Sequence, residues 1–288
     1  MIDLHTHTTG SDGEKTPEEL IDLAISKKIT ALAITDHDTV DSIEKAVKYA
    51  KSKDILLIPG IEVEAQIKKG QMHILALFVD YKNKELRKKL KYIKKARDSR
   101  NLKFIEEFNK LGFNITLDEL KEVSEGKIIG KPHFAKIFLR KKYIKEKDEI
   151  FQNYFEKTPF KEIPKTIYGP EEIIKTLKEA NAIVILAHPQ SLKLENEELK
   201  EKIKELKKYG LDGLECYHSK QTKKQMEDFK NIAQEYGLII TKGSDYHGPN
   251  TKPGIELGTG EKNNIVLEES EEKDMVNKLL EISKNRYV

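Results

Sequence analysis

The sequence predicts an α/β protein: a barrel of parallel strands interrupted by an all-helical insertion. Three observations predict it. Apolar runs of strand length alternate with segments of helical periodicity, and seven such runs occur. Polar residues suited to metal binding or proton transfer follow nearly every run, as they do at the carboxyl ends of strands in a (β/α) barrel. The alternation is broken once, between about Asn83 and Tyr168, where only helical spacing is found. An open doubly wound sheet would satisfy the alternation alone; the gathering of polar residues at strand ends favours the barrel. The expected domains are a barrel, residues 1–82 and 169–288, and a helical cap, residues 83–168.

Each element has a local reason. Ile2 and Leu4 alternate with Asp3 and His5, which suits a short strand, and Thr8 to Gly13 form a turn. Thr16-Pro17-Glu18-Glu19 opens a helix, with Thr16 at the N-cap, Pro17 at N1 and Glu19 completing a capping box. Ala31–Thr35 is a second strand, and Asp41 opens a helix that turns Ile43, Ala46, Val47 and Ala50 inward. Ile55–Val63 and Met72–Val79 are the third and fourth strands. In the helical block, Leu86, Leu90, Ile93, Phe104, Phe108 and Leu111 mark one helix, and Thr116 caps another. Phe134, Ile137 and Phe138, then Ile150, Phe151, Tyr154 and Phe155, mark two more. Alternation resumes at Gly169-Pro170 with a helix, followed by strands at Ala182–Ala187, Leu211–Tyr217 and Leu238–Lys242. A helix over Glu271–Lys284 closes the chain.

Composition narrows the function. The 288 residues suffice for one α/β barrel or two smaller domains, and 38% are hydrophobic, enough for a sizeable core. No apolar run approaches the ~20 residues of a membrane helix, and Asp3 and His5 break any signal-peptide pattern. A single cysteine, Cys216, allows no internal disulfide and fits a reducing cytoplasm. The formal charge of +3, from 52 basic and 49 acidic residues, marks no global nucleic-acid or membrane binder. Charged residues make up 35%, as either a hot habitat or a biased genome would produce.

His5 and His7 stand two apart, so on a strand both imidazoles share a face and can chelate one divalent metal. Of the eight histidines, most lie on or just after an expected strand: His5, His7, His37, His73, His188, His218 and His247. With Asp12, Glu62 and Asp245, at least nine nitrogen and oxygen ligands converge on one mouth. One four-coordinate ion cannot use so many; two or three can, with Glu62 as a bridging carboxylate. Mixed imidazole and carboxylate ligands suit Mn2+, Zn2+ or Fe2+ rather than calcium, and the lack of cysteine ligands argues against a structural zinc.

Taken together, His5-Thr6-His7, Thr35-Asp36-His37-Asp38, Gly60-Ile61-Glu62, Ala187-His188-Pro189 and Gly243-Ser244-Asp245-Tyr246-His247 resemble the polymerase and histidinol phosphatase (PHP) family, from the first residues to about residue 260. Lys131-Pro132-His133-Phe134-Ala135 further resembles a subgroup with a helical insertion in a distorted (β/α)7 barrel, which includes nucleoside 3',5'-bisphosphate phosphatases and 5'-3' exoribonuclease-like enzymes. The resemblance implies that His5, His7, Glu62 and Asp245 hold a first metal, that Glu62, His73 and His188 hold a second, and that Asp12, His37 and His247 hold a third. It implies a hydroxide bridging the ions that attacks phosphorus, with metals ~4 Å apart clamping the attacking and leaving oxygens. The subgroup usually has Arg where Lys131 stands; Lys keeps the charge and loses the bidentate fork.

The remaining polar residues divide between chemistry and structure. Lys131, His133 and His218 are expected at the substrate phosphate, and His133 and His218 also as general acids. The structural alternative makes His133 a helix cap and His218 a solvated loop residue. Asp36 and Asp38 either orient an imidazole or act directly; Asp38 stands with His133 and His218 among the candidate catalytic groups. Glu64 alternates with Glu62, and Asp3 is expected to be structural. From Lys131 to Lys147 seven basic residues face one acidic, which suits either an RNA backbone or a solvated helix face. Phe134, Phe138 and Tyr143 could stack bases, but helix core is the better expectation for both Phe residues. The expected function is a cytoplasmic metal-dependent phosphoesterase acting on nucleotide phosphate monoesters. The alternatives are a 5'-3' exoribonuclease on short RNA, a histidinol-phosphate phosphatase, and a non-catalytic nucleic-acid-binding or polymerase-accessory module.

Overall fold

The computed structural model describes residues 1–124, 128–164 and 167–286. The chain forms two compact units, Met1–Lys89 with Tyr168–Val288, and Leu90–Ile167. Among the described residues no helix is long and apolar enough to cross a membrane.

The first unit is a nearly closed barrel. Its strands are β1 (Ile2–Asp3), β2 (Ala31–Ile34), β3 (Leu56–Ala65), β4 (Met72–Leu77), β5 (Ile183–Leu186), β6 (Gly213–His218) and β7 (Ile239–Gly243), hydrogen-bonded in sequence order. The β1 segment then returns to the β7 segment. Leu4 N–H donates to the Lys242 carbonyl (3.1 Å), Asp245 N–H to that of His5 (2.8 Å) and His7 N–H to that of Tyr246 (2.9 Å). The helices of this unit are α1 (Pro17–Ser26), α2 (Ile43–Ala50), α7 (Pro170–Glu179), α8 (Asn196–Tyr209), α9 (Lys223–Glu235) and α10 (Glu269–Arg286). A small hairpin, β8 (Ile255–Glu256) with β9 (Gly260–Glu261), precedes α10. β2 and β5 are buried at every position, which is why they read as unbroken apolar runs.

The expectation of a parallel sheet needs one correction. β4 is antiparallel to both β3 and β5, while the other pairs are parallel. The cause is chain length: residues 66–71 join β3 to β4, and a parallel crossover needs a dozen or more residues. The reversal matters for the site. The start of β4 lies beside the end of β3, so His73 pairs with Glu64 rather than facing the opposite mouth.

Caps follow the sequence at Thr16 and Thr116 and depart from it at α2. Thr16 and Glu19 form the expected box on α1, with Glu19 N–H donating to Thr16 Oγ1 at 3.2 Å and Thr16 N–H to Glu19 Oε2 at 2.8 Å. At α2 the N-cap is Ser42, not Asp41, and the Ser42 hydroxyl donates to Asp36 instead of capping. The barrel core joins Ile2, Leu4, Ala33, Ile58, Leu75, Ile185 and Ile239 to Leu279 of α10.

The second unit contains the rest of α3 (Lys84–Lys110), with α4 (Leu117–Val123), α5 (Lys131–Arg140), α6 (Lys147–Ile150), a π-helical turn (Phe151–Phe155) and a 3-10 turn (Phe160–Glu162). Its core is aromatic. Phe108 is fully buried, with ring centroids 4.3 Å from Phe160 and 4.7 Å from Phe138. Phe134 and Phe138 are fully buried here, so neither presents a face for base stacking. Phe108→Ala should cost about 3–5 kcal/mol by leaving a cavity. Thermal melting should show a lowered transition; an unchanged melt would mean that these rings do not carry the unit.

Candidate metal centre

The site is assembled from strand ends. On β3, Ile58 and Glu62 share a face, and on β4 His73 shares one with Leu75 and Leu77, because side chains repeat every two residues. Each strand therefore gives its core end to packing and its rim end to ligands. β1 stops at Asp3 with a bend at Leu4, beyond which His5 and His7 turn to the same cluster. β6 carries a bulge between Glu215 and Tyr217. Residues three apart in a regular strand point to opposite faces; the extra residue lets both Glu215 and His218 face the site.

Glu62 stands at the centre, with no exposed surface. Its Oε2 lies 3.3 Å from His5 Nε2, 3.2 Å from His7 Nε2 and 3.0 Å from His37 Nδ1. Its Oε1 lies 2.7 Å from His73 Nδ1 and 2.9 Å from His188 Nε2. Asp245 Oδ1 is 3.5 Å from His5 Nε2 and 3.2 Å from His7 Nε2. Ligand atoms ~2.05 Å from a tetrahedral centre stand ~3.3 Å apart, so the spacing of His5, His7, Glu62 and Asp245 is that of a metal's ligand set. Asp12 Oδ1 lies 3.2 Å from His247 Nε2 and 3.9 Å from His7 Nδ1, and Asp12 Oδ2 lies 3.9 Å from His37 Nε2. Among the described residues, three groupings have ligand atoms close enough for an ion: His5, His7, Glu62 and Asp245; His7, Asp12, His37 and His247; and His37, Glu62 and His73.

The hydrogen bonds prepare lone pairs. His5 Nδ1 donates to Glu215 Oε1 (2.9 Å), which leaves Nε2 as the ligating atom. His247 Nδ1 donates to the Asp245 carbonyl (2.9 Å), leaving Nε2 toward Asp12. Ser191 donates its hydroxyl hydrogen to the Gln71 carbonyl, so it accepts from His188 Nδ1 (3.0 Å) and leaves His188 Nε2 toward Glu62. The decisive observation is what lacks a partner. His5 Nε2, both ring nitrogens of His7 and Glu62 Oε2 are buried and make no hydrogen bond. Buried polar atoms are nearly always paired, and a shared cation would satisfy all four; the residues fit divalent metal.

Ionisation agrees. Burial raises the Glu62 carboxyl, but His37, His73 and His5 hold it well below the usual carboxylate range. Burial likewise opposes Asp245, which Lys252 and His247 nevertheless hold well below that range. Burial pushes His188 and His247 down to about 4, so both are neutral at pH 7, as ligands must be. Burial also pulls His5 down, yet Glu215, Glu62 and Asp245 push it well above its ordinary value. The carboxylates draw positive charge inward, whether proton or metal.

Other candidates fall elsewhere. His218 is buried, not a solvated loop residue; its Nδ1 accepts from Lys220 N–H (3.1 Å), leaving Nε2–H as a donor 3.4 Å from Asp245 Oδ2. Asp36 orients no imidazole. It accepts from Thr8 N–H and Oγ1 (2.7 Å each) and from Ser11 Oγ (2.9 Å), so it shapes the turn that carries Asp12. A Cβ on Gly10 would lie 2.4 Å from Asp36 Oδ2, which is why that turn needs glycine. Asp38 accepts from Glu64 N–H (3.3 Å) and donates its own N–H to the Glu62 carbonyl (2.9 Å), which holds the end of β3. Asp3 accepts from Ser244 N–H (2.9 Å) and Gly258 N–H (2.7 Å) and is structural.

Lys131 and His133 belong to the second unit, at the start of α5. His133 Nδ1 accepts the Gly130 N–H (3.0 Å), making Nε2 a donor. The Lys131 ammonium lies 4.7 Å from the Phe155 ring centroid, and burial followed by repulsion from Arg100 pushes it down to about 8. In the same basic run, Arg140 pairs with Glu122 (3.0 Å) and Lys141 with Glu119 (2.6 Å).

Two residues at the site had not been singled out from sequence. Glu215 is fully buried on β6 and binds His5. Its signal was available: a carboxylate inside Gly213-Leu214-Glu215-Cys216-Tyr217, an otherwise apolar strand. Lys252 pairs with Asp245 Oδ2 and lies in a loop without a motif; Glu14 pins that loop by accepting from Asn250 Nδ2 (3.0 Å) and Thr251 N–H.

Fold and cluster together define a barrel protein built to bind divalent metal at its carboxyl rim. The chain belongs to the PHP domain family, whose model matches residues 3–286. It is 30% identical to a 5'-3' exoribonuclease of Haemophilus influenzae, over 89% of this chain and 92% of that one. It is 27% identical to a 3',5'-nucleoside bisphosphate phosphatase of Chromobacterium violaceum, covering 86% and 87% of the two chains. A solved structure from Bifidobacterium adolescentis, described as a metal-dependent phosphoesterase, superposes with a TM-score of 0.82 at 28% identity, covering 97% of this chain and 95% of the other.

Metal should stabilise the protein, since ion binding relieves the unpaired atoms around Glu62. Chelated protein should melt lower than protein given Mn2+ or Zn2+, with a gain of about 4 kcal/mol when free ion reaches a thousand times Kd. In Glu62→Gln that gain should largely vanish in scanning fluorimetry. Identical melts with and without ion would count against the centre.

Proposed function

We propose that this chain is a metal-dependent hydrolase of phosphate monoesters on nucleotides, such as a nucleoside 3',5'-bisphosphate. The observation that carries the reading is Glu62, a wholly buried carboxylate whose Oε2 lies beside His5 Nε2 and His7 Nε2, all three atoms without a hydrogen-bond partner. Two or three ions of the manganese, zinc or iron type would supply Lewis acidity and an activated water to the phosphate. His5, His7, Glu62 and Asp245 would hold one, Glu62, His73 and His188 a second, and Asp12, His37 and His247 a third. The proximity of His37 Nδ1 to Glu62 Oε2 lets His37 serve either of the last two.

The remaining residues handle the substrate. His218 offers Nε2–H beside Asp245, the geometry of a donor to a phosphate or leaving oxygen. Lys131 and His133 are assigned to the substrate phosphate; His133 Nε2 is a donor by the hydrogen bond at Nδ1. Asp38, next to His37 and hydrogen-bonded to the end of β3, is assigned with His133 and His218 to the catalytic groups. The Chromobacterium violaceum relative, named for a nucleoside bisphosphate, supports a nucleotide substrate. A second reading, stepwise removal of nucleotides from the 5' end of short RNA, is supported by the Haemophilus influenzae relative. Cytoplasmic residence belongs to the same reading and is supported by the single, buried, unpaired thiol of Cys216.

With Mn2+ supplied, adenosine 3',5'-bisphosphate should release inorganic phosphate, and chelation should stop it. Rapid turnover of histidinol phosphate with an inert bisphosphate would overturn the choice of substrate. Stepwise shortening of a 5'-phosphorylated oligoribonucleotide would favour the second reading. Asp245→Ala should lower kcat by a factor on the order of 10^3 with circular dichroism preserved; retained activity would remove Asp245 from the centre. His133→Ala should raise KM more than it lowers metal content, and the loss of one metal equivalent would instead make His133 a ligand.

A further inference from the structure

We propose that Glu215 is a positioning residue. It sets the ligating tautomer of His5 through the side chain and the placement of His188 through the backbone, so that one carboxylate governs both sides of Glu62. The proposal rests on the reading of the cluster as a metal centre. Glu215 has no exposed surface and spends each oxygen on a different donor: Oε1 on His5 Nδ1 (2.9 Å) and Oε2 on His188 N–H (2.6 Å). Those residues address different oxygens of Glu62. His5 Nε2 lies 3.3 Å from Oε2, and His188 Nε2 lies 2.9 Å from Oε1.

The local backbone is arranged to permit this. A Cβ on Gly243 would lie 2.6 Å from Glu215 Oε1 and 2.2 Å from His5 Cβ, so only glycine lets the pair close. His188 takes φ 25°, in the left-handed region that side-chain-bearing residues rarely adopt, and needs fixing from outside. The Glu215 bond fixes its main chain, while Ser191 fixes its ring (3.0 Å).

The demand is for two acceptors, which a carboxylate has and an amide does not. With the Gln carbonyl toward His5, the amide NH2 would face the His188 N–H, donor against donor. With the NH2 toward His5, Nδ1 must accept, the ring proton moves to Nε2, and His5 can no longer ligate through that atom. Glu215→Gln therefore keeps shape and volume while removing the pattern, which separates positioning from mere packing.

Metal-free wild type and Glu215→Gln are titrated with Co2+ and followed by visible absorption. The variant should bind about 10- to 100-fold more weakly, with an altered band shape, while the metal-free proteins melt within a few degrees of each other. Equal affinity with an unchanged band would overturn the proposal. Should the variant not fold, the wild type alone decides: in the Zn2+-loaded protein, nitrogen-15 correlation spectra should show His5 protonated at Nδ1, and protonation at Nε2 overturns it. Because these measurements read binding, wild type that takes up Co2+ but leaves phosphate esters intact would sink the phosphoesterase reading and leave the role of Glu215 supported.

Discussion

The structure depends on a buried carboxylate that needs positive charge around it. Glu62 is enclosed, and a lone ionised carboxylate in such a place would be prohibitively costly. Five imidazoles surround it: His5, His7 and His37 at one oxygen, His73 and His188 at the other. They come from four separate stretches of chain, and only a barrel that closes brings them together. The ladder from Leu4 to His7 against Lys242 to Tyr246 is therefore as much a part of the site as the ligands.

Regular strands cannot supply that many inward side chains at one rim, so the chain departs from regularity where the clustered imidazoles and carboxylates sit. Asp38, His188 and Asp245 all take positive φ without being glycine. A bend at Leu4 and the bulge in β6 add two more departures. Strain of this kind persists only where the surroundings over-determine it. Here the surroundings are visible: Glu215 and Ser191 hold His188, and the Asp245 carbonyl holds His247. The core lower in the barrel stays regular and apolar, which leaves the rim free to be irregular.

Much of this was legible in the sequence, for definite reasons. Period-two alternation exposes strand ends, and His5, His37, His188 and His247 sit just past apolar runs, where a barrel puts its ligands. Alternation alone does not reveal the direction of β4; the mark is the 66–71 connection, which is too short for a crossover. That length also explains how His73, near the start of its strand, reaches a rim built from strand ends. Glu215 escaped because ligand motifs direct attention to strand ends, whereas its mark is a charge within an apolar run. Lys252 carries no local mark, since its place depends on a loop pinned by the distant Glu14. Asp36 was legible as important and not as to purpose: its hydroxyl and amide partners come from Thr8, Ser11 and Ser42, which no periodicity connects.

Charge is the last step in why this rim takes metal and not merely protons. Asp12, Glu62, Glu215 and Asp245 place carboxylates within one small volume; burial opposes their ionisation, yet all four are held below their ordinary range, Asp12, Glu62 and Glu215 by imidazoles and Asp245 by Lys252 and then His247. Protonation can balance that charge only in part: the carboxylates push His5 and His37 up against the opposing effect of burial, while burial pushes His188 and His247 down to about 4. The Lys252 ammonium offsets part of the excess through Asp245 Oδ2, on the side away from His5 and His7. What is left is the buried Oε2 of Glu62 facing His5 Nε2 and the ring nitrogens of His7, none with a hydrogen-bond partner, an arrangement that a shared divalent cation satisfies well.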